Sequence, residues 1–183
     1  MSDTLQNRAR QIKLILTDCD GVMTDGRLYY GNSGAEEFKI FNIHDGLGFK
    51  LARQAGLKIG IISGRQSAML AARARELKVD YLYQGNDSKL GAYEEICAAE
   101  NLGDEQIAYL GDDLHDLHLL QRVGLAIAVN NAVTEVKAAT HFITTKNGGE
   151  GAVREAIEMI LKAQGHWEKV LPQFIGAALA KET

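Results

Sequence analysis

Cysteine and proline are nearly absent from this 183-residue chain, which carries only Cys19, Cys97 and Pro172. Two thiols build no disulfide framework. One proline excludes Pro-rich linkers and spacers. No long apolar run and no charged-then-apolar leader is visible, so a reducing, cytoplasmic setting is expected. An excess of positive charge is lacking too: 20 basic against 24 acidic residues give a net charge of −4. That balance offers no global field for nucleic acid or an anionic membrane, and any anion site has to be local. What the chain does have is 46% hydrophobic residues and 19 glycines. The first can bury a sizeable core within one domain, and the second suit tight turns between strands and helices.

Lys13 to Thr17 is a short apolar run bounded by charge, the mark of a strand buried on both faces. Similar runs recur at 58–62, 79–83, 106–110 and 125–129, with a weaker one at 141–144. Helical spacing occupies 46–54, 66–77, 88–100, 113–122, 132–137 and 151–164. The alternation predicts an α/β fold, a Rossmann-like open, mostly parallel sheet with helices on both faces and its chemistry at the carboxyl strand ends. The chain forms one domain, 1–183, with a core over about 12–164. Residues 27–41 break the rhythm and predict an inserted β-hairpin, projecting over those strand ends. The tail, about 165–183, holds Trp167, Pro172 and Phe174 with weak periodicity. It is expected to be disordered or to pack against a neighbouring subunit.

The first strand ends in Asp18-Cys19-Asp20-Gly21, and residues two apart on an extended chain point to the same side. Asp18 and Asp20 therefore converge, and Cys19 points the other way, into the core. Two carboxylates so close repel unless a cation lies between them, and oxygen ligands suit Mg2+. Alone, such a turn is common. Here Ser63-Gly64-Arg65 ends the second strand, Lys89 opens the helix after the third, and Gly111-Asp112-Asp113 ends the fourth, with Asp116 beyond. A hydroxyl, a cation and further carboxylates at adjacent strand ends are what phosphoryl transfer needs. His115 and His118 are expected to be packing or surface residues.

Those four motifs resemble the haloacid dehalogenase superfamily, over 13 to about 164. The resemblance implies a phospho-aspartate on Asp18 and general acid/base work by Asp20, with Ser63 and Lys89 holding phosphoryl oxygens. It implies a metal held by Asp18, the backbone carbonyl of Asp20 and Asp112, with Asp113 close by and Asp116 supporting the loop. Between the first and second motifs only about 40 residues remain, too few for a cap domain. A neighbouring subunit is then expected to close the site.

Longer stretches, among them Phe41-Asn42-Ile43-His44-Asp45-Gly46, Leu82-Tyr83-Gln84-Gly85 and Gly151-Ala152-Val153-Arg154-Glu155, resemble a narrower family. It is that of the capless, tetrameric phosphatases of 3-deoxy-D-manno-octulosonate 8-phosphate, which serve lipopolysaccharide inner-core synthesis. The resemblance implies substrate contacts at Asp20, Asn42, His44, Asp45, Gly46, Lys50, Arg65, Arg73 and Lys89, with Arg154 contributing across a subunit boundary. Several cations around one mouth fit a sugar acid that brings a carboxylate as well as a phosphate. Glu150 departs from the pattern, because these phosphatases often carry Arg there and the related nonulosonate 9-phosphate phosphatases can carry acid. A phospho-receiver domain is the rival from another class, but it would need an Asp at the end of the third strand, where this chain reads Tyr81-Leu82-Tyr83-Gln84-Gly85.

Overall fold

Leu14, Ile15, Leu16 and Thr17 are each 0% exposed, because the strand they form has a neighbour on both edges and helices on both faces. The computed structural model describes residues 2–32, 36–85 and 88–179. In chain order the elements are α1 (Asp3–Gln11), β1 (Leu14–Thr17), β2 (Tyr29–Tyr30), β3 (Glu36–Phe38), α2 (Ile43–Gln54), β4 (Lys58–Ser63), α3 (Ala68–Leu77), β5 (Tyr81–Gln84) and α4 (Lys89–Glu100). There follow β6 (Ile107–Gly111), α5 (Leu117–Leu120), β7 (Leu125–Ala128), α6 (Thr134–Ala138), β8 (Phe142–Ile143), α7 (Ala152–Ala163) and α8 (Trp167–Leu179).

Six strands pair in the order β5-β4-β1-β6-β7-β8, every pair parallel. The chain builds outward from β1 through β4 to β5, then returns to lay β6 on the other edge of β1. The strand order reverses there, which opens a crevice between the carboxyl ends of β1 and β6. The predicted Rossmann-like α/β sheet is observed.

Helix α7 buries seven residues, from Ala152 and Val153 through Ile160, Leu161 and Ala163, at helical spacing. Each fully buried Ile or Leu stabilises the fold by about 1.5–3 kcal/mol. Its partner is α2, and Gly48 allows the approach, since a Cβ there would lie 3.2 Å from the Arg154 Cα. The hairpin strands β2 and β3 pair antiparallel, with the Tyr29 and Phe38 rings stacked at 4.7 Å. Part of the predicted hairpin turn, 33–35, lies outside the described residues.

Four elements differ from expectation. The polar start is a helix, α1, capped by Ser2, whose Oγ accepts from Leu5 N. Only Ala9 of it is buried, too small a stripe to register as periodicity. Gln164 Nε2 ties this helix to the core through Ala9 O and Ile12 O. The tail is also helical: in α8, Val170 is buried and the Trp167 ring takes Arg154 and Lys162 against its face. The third strand begins at Tyr81 rather than Val79, because Lys78 closes α3 in the left-handed region and Val79 N still bonds Ala74 O. The helix expected over 113–122 is a tight 3-10 turn, Leu114–Asp116, followed by the four-residue α5. Asp116 turns its carboxylate back onto the Asp112 and Asp113 amides and so shortens that turn.

Candidate active site

The first-strand ladder runs on past β1, since Asp18 N donates to Leu110 O. The chain then folds tightly, with Val22, Met23 and Thr24 amides all on Cys19 O. Gly21 is required twice: its φ is +88°, and a Cβ would stand 2.0 Å from Asp112 Oδ2. The β1 turn and the β6 turn therefore touch. Cys19 is fully buried, as its alternation predicts.

A second turn braces the first. Gly149 N donates to Val22 O, and Gly148 lies so near that a Cβ would fall 1.7 Å from Gly21 O. Gly148 N in turn donates to Asn131 Oδ1. Glu150, beside them, is exposed and accepts from Asn147 Nδ2.

Ser63 ends β4, buried, with Oγ accepting from Arg65 N. Arg65 Nε stands 3.7 Å from Asp20 Oδ2, and its Nη2 donates to Tyr30 OH in the hairpin. Lys89, the first residue of α4, points inward: Nζ lies 3.0 Å from Asp18 Oδ2 and 2.6 Å from Asp116 Oδ1. Asp116 is 1% exposed and fully engaged. Its Oδ1 accepts from Lys89 and from Tyr109 OH, its Oδ2 from the amides of Asp112 and Asp113. A carboxylate so satisfied is a brace. Asp113 is exposed and its Oδ1 accepts from Leu114 N. His115 and His118 are exposed.

Crowding of carboxylates sets the electrostatics. Burial pushes the Asp18 carboxyl up to about 6, with Lys89 pulling down and Asp116 pushing up. Burial, then the charges of Asp116, Asp18 and Asp113, push Asp112 up to about 8. Burial works against the Lys89 ammonium, yet Asp18 and Asp116 outweigh it and hold the group above its ordinary value.

Oxygens of Asp18, Asp112 and Asp116 lie within 4.8 Å of one another, and Asp112 Oδ1 is buried without a hydrogen-bond partner. That donor set fits a hard divalent cation, which would relieve both the repulsion and the orphaned oxygen. Asp116 has its lone pairs filled, so Asp18 and Asp112 are the side chains able to hold it.

A cavity of about 510 Å3 gathers Asp18, Asp20, Ser63, Arg65, Lys89 and Asp112. Asp113 lines it too, whereas the substrate contacts anticipated at 42–50, 73 and 154 do not. Gly46, Lys50 and Arg73 line a separate groove of about 640 Å3, together with the exposed Ile43. Asn42 caps α2, with Oδ1 accepting from His44 N, and its Nδ2 donates to Gly149 O. His44 is exposed. Asp45 is buried, and its Oδ1 accepts from Arg154 N in the first turn of α7. Burial pushes the Asp45 carboxyl up to about 6. Arg73 bonds Glu76 and Asn42 O, and Arg154 bonds Glu158.

Sequence reasoning passed over Tyr109 and Lys39. Tyr109 stands two residues before Gly111 on β6, so strand alternation could have placed it on the same side as the motif. Lys39 sits between Phe38 and Ile40 on the hairpin and reaches Asp20. Its neighbours gave no hint of that.

Comparison with known proteins follows the same lines. A family model described as haloacid dehalogenase-like hydrolase matches residues 81–157. The 3-deoxy-D-manno-octulosonate 8-phosphate phosphatase of Yersinia pestis is 42% identical over 168 residues, 92% of this chain and 89% of the relative. A probable YrbI family phosphatase from Pseudomonas syringae superposes with TM-score 0.92 at 46% identity, over 95% of this chain and 98% of that one. The corresponding phosphatase of Moraxella catarrhalis, solved with a magnesium ion, a phosphate ion and a KDO molecule, superposes with TM-score 0.91 at 39% identity, covering 95% and 99%.

Proposed function

The chain belongs to the haloacid dehalogenase-like hydrolases, and on that premise we propose that it hydrolyses 3-deoxy-D-manno-octulosonate 8-phosphate to the free sugar acid and inorganic phosphate in lipopolysaccharide inner-core synthesis. The observation that carries the reading is the cavity at the carboxyl strand ends, where an acid pair, a hydroxyl and a buried lysine face one space. Relatives named for this substrate, similar over nearly the whole chain, favour the eight-carbon ester over the nine-carbon alternative.

Asp18 is the nucleophile: a carboxylate oxygen attacks phosphorus as the ester P–O bond breaks. Asp20 gives its proton to the departing sugar oxygen. In the second half Asp20 takes a proton from water, the water oxygen bonds phosphorus, and the Asp18–phosphorus bond breaks to free phosphate and restore the carboxylate. Lys89 and Ser63 hold phosphoryl oxygens against the charge that develops on them. Asp116 and Tyr109 keep Lys89 in place. Asp18, Asp112 and the backbone carbonyl of Asp20 would hold Mg2+, which when bound neutralises charge on the phosphoryl group.

Substrate selection is shared between subunits of a homotetramer on this reading. Support comes from the separation of the two cavities within one chain, and from the exposed Tyr30, Phe38, Ile40 and Ile43 between hairpin and α2. Sedimentation showing an active, concentrated monomer would remove it. Among the described residues no helix is long and apolar enough to cross a membrane. We place the enzyme in the cytoplasm, where both free cysteines would stay reduced.

Phosphate release from the eight- and nine-carbon ester, with and without Mg2+, tests reaction, metal and substrate at once. The expected result is a higher kcat/KM for the eight-carbon ester and dependence on the metal. A clear preference for the nine-carbon ester overturns the substrate assignment.

A further inference from the structure

The side chain of Lys39 is enclosed, although the residue as a whole is half-buried, whereas its neighbours are exposed. Phe38 and Ile40 are 48% and 56% exposed, whereas the Lys39 side chain keeps 2%. That inverts the usual sorting of apolar and charged residues. Withdrawing an ammonium from water costs several kcal/mol unless an opposite charge receives it. Here the receiver is Asp20, whose Oδ1 accepts a hydrogen bond from Lys39 Nζ. The other oxygen, Oδ2, is buried with no hydrogen bond, and Arg65 Nε at 3.7 Å is beyond hydrogen-bond reach.

A carboxyl that delivers a proton to a leaving oxygen must aim one oxygen at it, within hydrogen-bond distance. Free rotation about the Cβ–Cγ bond of Asp20 would spread that aim. We infer that Lys39 is a positioning residue: by fixing Oδ1 of Asp20 it leaves Oδ2 turned to the leaving-group oxygen. This rests on Asp20 being the acid/base. The hairpin supplies the rigidity, through the Tyr29 and Phe38 stack and the Tyr30 hydroxyl on Arg65. It thereby takes part in the chemistry of its own subunit, besides any role in covering a site.

Leaving groups separate this role from a structural one. A sugar alkoxide needs a proton to depart, and 4-nitrophenolate does not. The experiment compares kcat/KM for the sugar phosphate and for 4-nitrophenyl phosphate in excess Mg2+, in the parent, Lys39→Met, Lys39→Arg and Asp20→Asn. This parameter covers steps up to departure of the alcohol, so hydrolysis of the phospho-enzyme does not enter. The ratio of the two values within one preparation is also indifferent to any loss of folded protein.

Lys39→Met is expected to lose about 10- to 100-fold more on the sugar phosphate than on the aryl ester, and Lys39→Arg to recover part of that ratio. Equal losses on both esters in Lys39→Met, with a split in Asp20→Asn, overturn the role of Lys39 alone. No split in Asp20→Asn overturns the acid/base reading beneath it.

Discussion

The ammonium of Lys89 stands 3.0 Å from the carboxylate of Asp18, so the cation proposed to hold the phosphoryl group already neutralises the proposed nucleophile before substrate arrives. Lys89→Met therefore has two expected effects. Loss of an electrostatic donor to the developing charge lowers kcat/KM about 100- to 1000-fold. Leaving Asp18 and Asp116 buried without their cation lowers the stability of the metal-free protein by about 3–5 kcal/mol. Steady-state kinetics and urea unfolding read the two separately, and a stable variant with parental kinetics would exclude both roles.

Asp18→Asn keeps the size of the side chain and removes the charge of the proposed nucleophile. Turnover is expected to vanish while circular dichroism and melting behaviour stay those of a folded protein. Turnover within about tenfold of the parent would be too fast for an enzyme lacking its covalent step, and the nucleophile would have to be sought elsewhere.

Metal and pH are linked through the carboxylates. Asp18 and Asp112 are raised from 3.8 to about 6 and about 8, so between those values the folded, metal-free chain holds protons that the unfolded chain has released. The stability these groups contribute is full below about pH 4 and is lost as pH rises through 6 and then 8. A bound cation favours the charged forms and reverses the loss. Melting curves at about pH 5.5 and about pH 8.5, in chelator and in Mg2+, should show a larger Mg2+ stabilisation at the higher pH. Equal shifts at both would contradict the crowding of these carboxyls.

Asp45 offers a similar test away from Asp18 and Asp112. Its carboxyl is raised to about 6, chiefly by burial, and Oδ2 has no hydrogen-bond partner. Asp45→Asn keeps an oxygen for the Arg154 amide and removes the charge. The variant should gain up to about 3 kcal/mol above pH 6 and nothing near pH 4. Unfolding free energies at the two pH values decide this, and a loss at pH 7 would show that the charge is needed.

The sheet was legible because its strands are apolar on both faces, which leaves a signal independent of distant contacts. Asp18, Ser63 and Asp112 were legible for a related reason, since each stands at the end of an apolar strand run, and Lys89 because it opens the helix after the third. Lys39 was not. Its burial depends on a hairpin folding back onto the β1 turn, and nothing local distinguishes it from a surface lysine. Tyr109 was hidden by its apolar strand, where a tyrosine passes for core. Helix α1 was missed because a single alanine supplies its buried stripe, and α8 because Val170 alone is buried among its described side chains.

The brace formed by Gly148 and Gly149 against Gly21 and Val22 bears on the order in which the protein can become active. Synthesis runs from the first residue to the last, so every chemical group from Asp18 to Asp116 leaves the ribosome before the loop that seats them. A nascent chain arrested short of residue 148 carries every residue from Asp18 to Asp116 and lacks the support for its first turn. Support for that turn is thus acquired late, once residues 148 and 149 can pack against it.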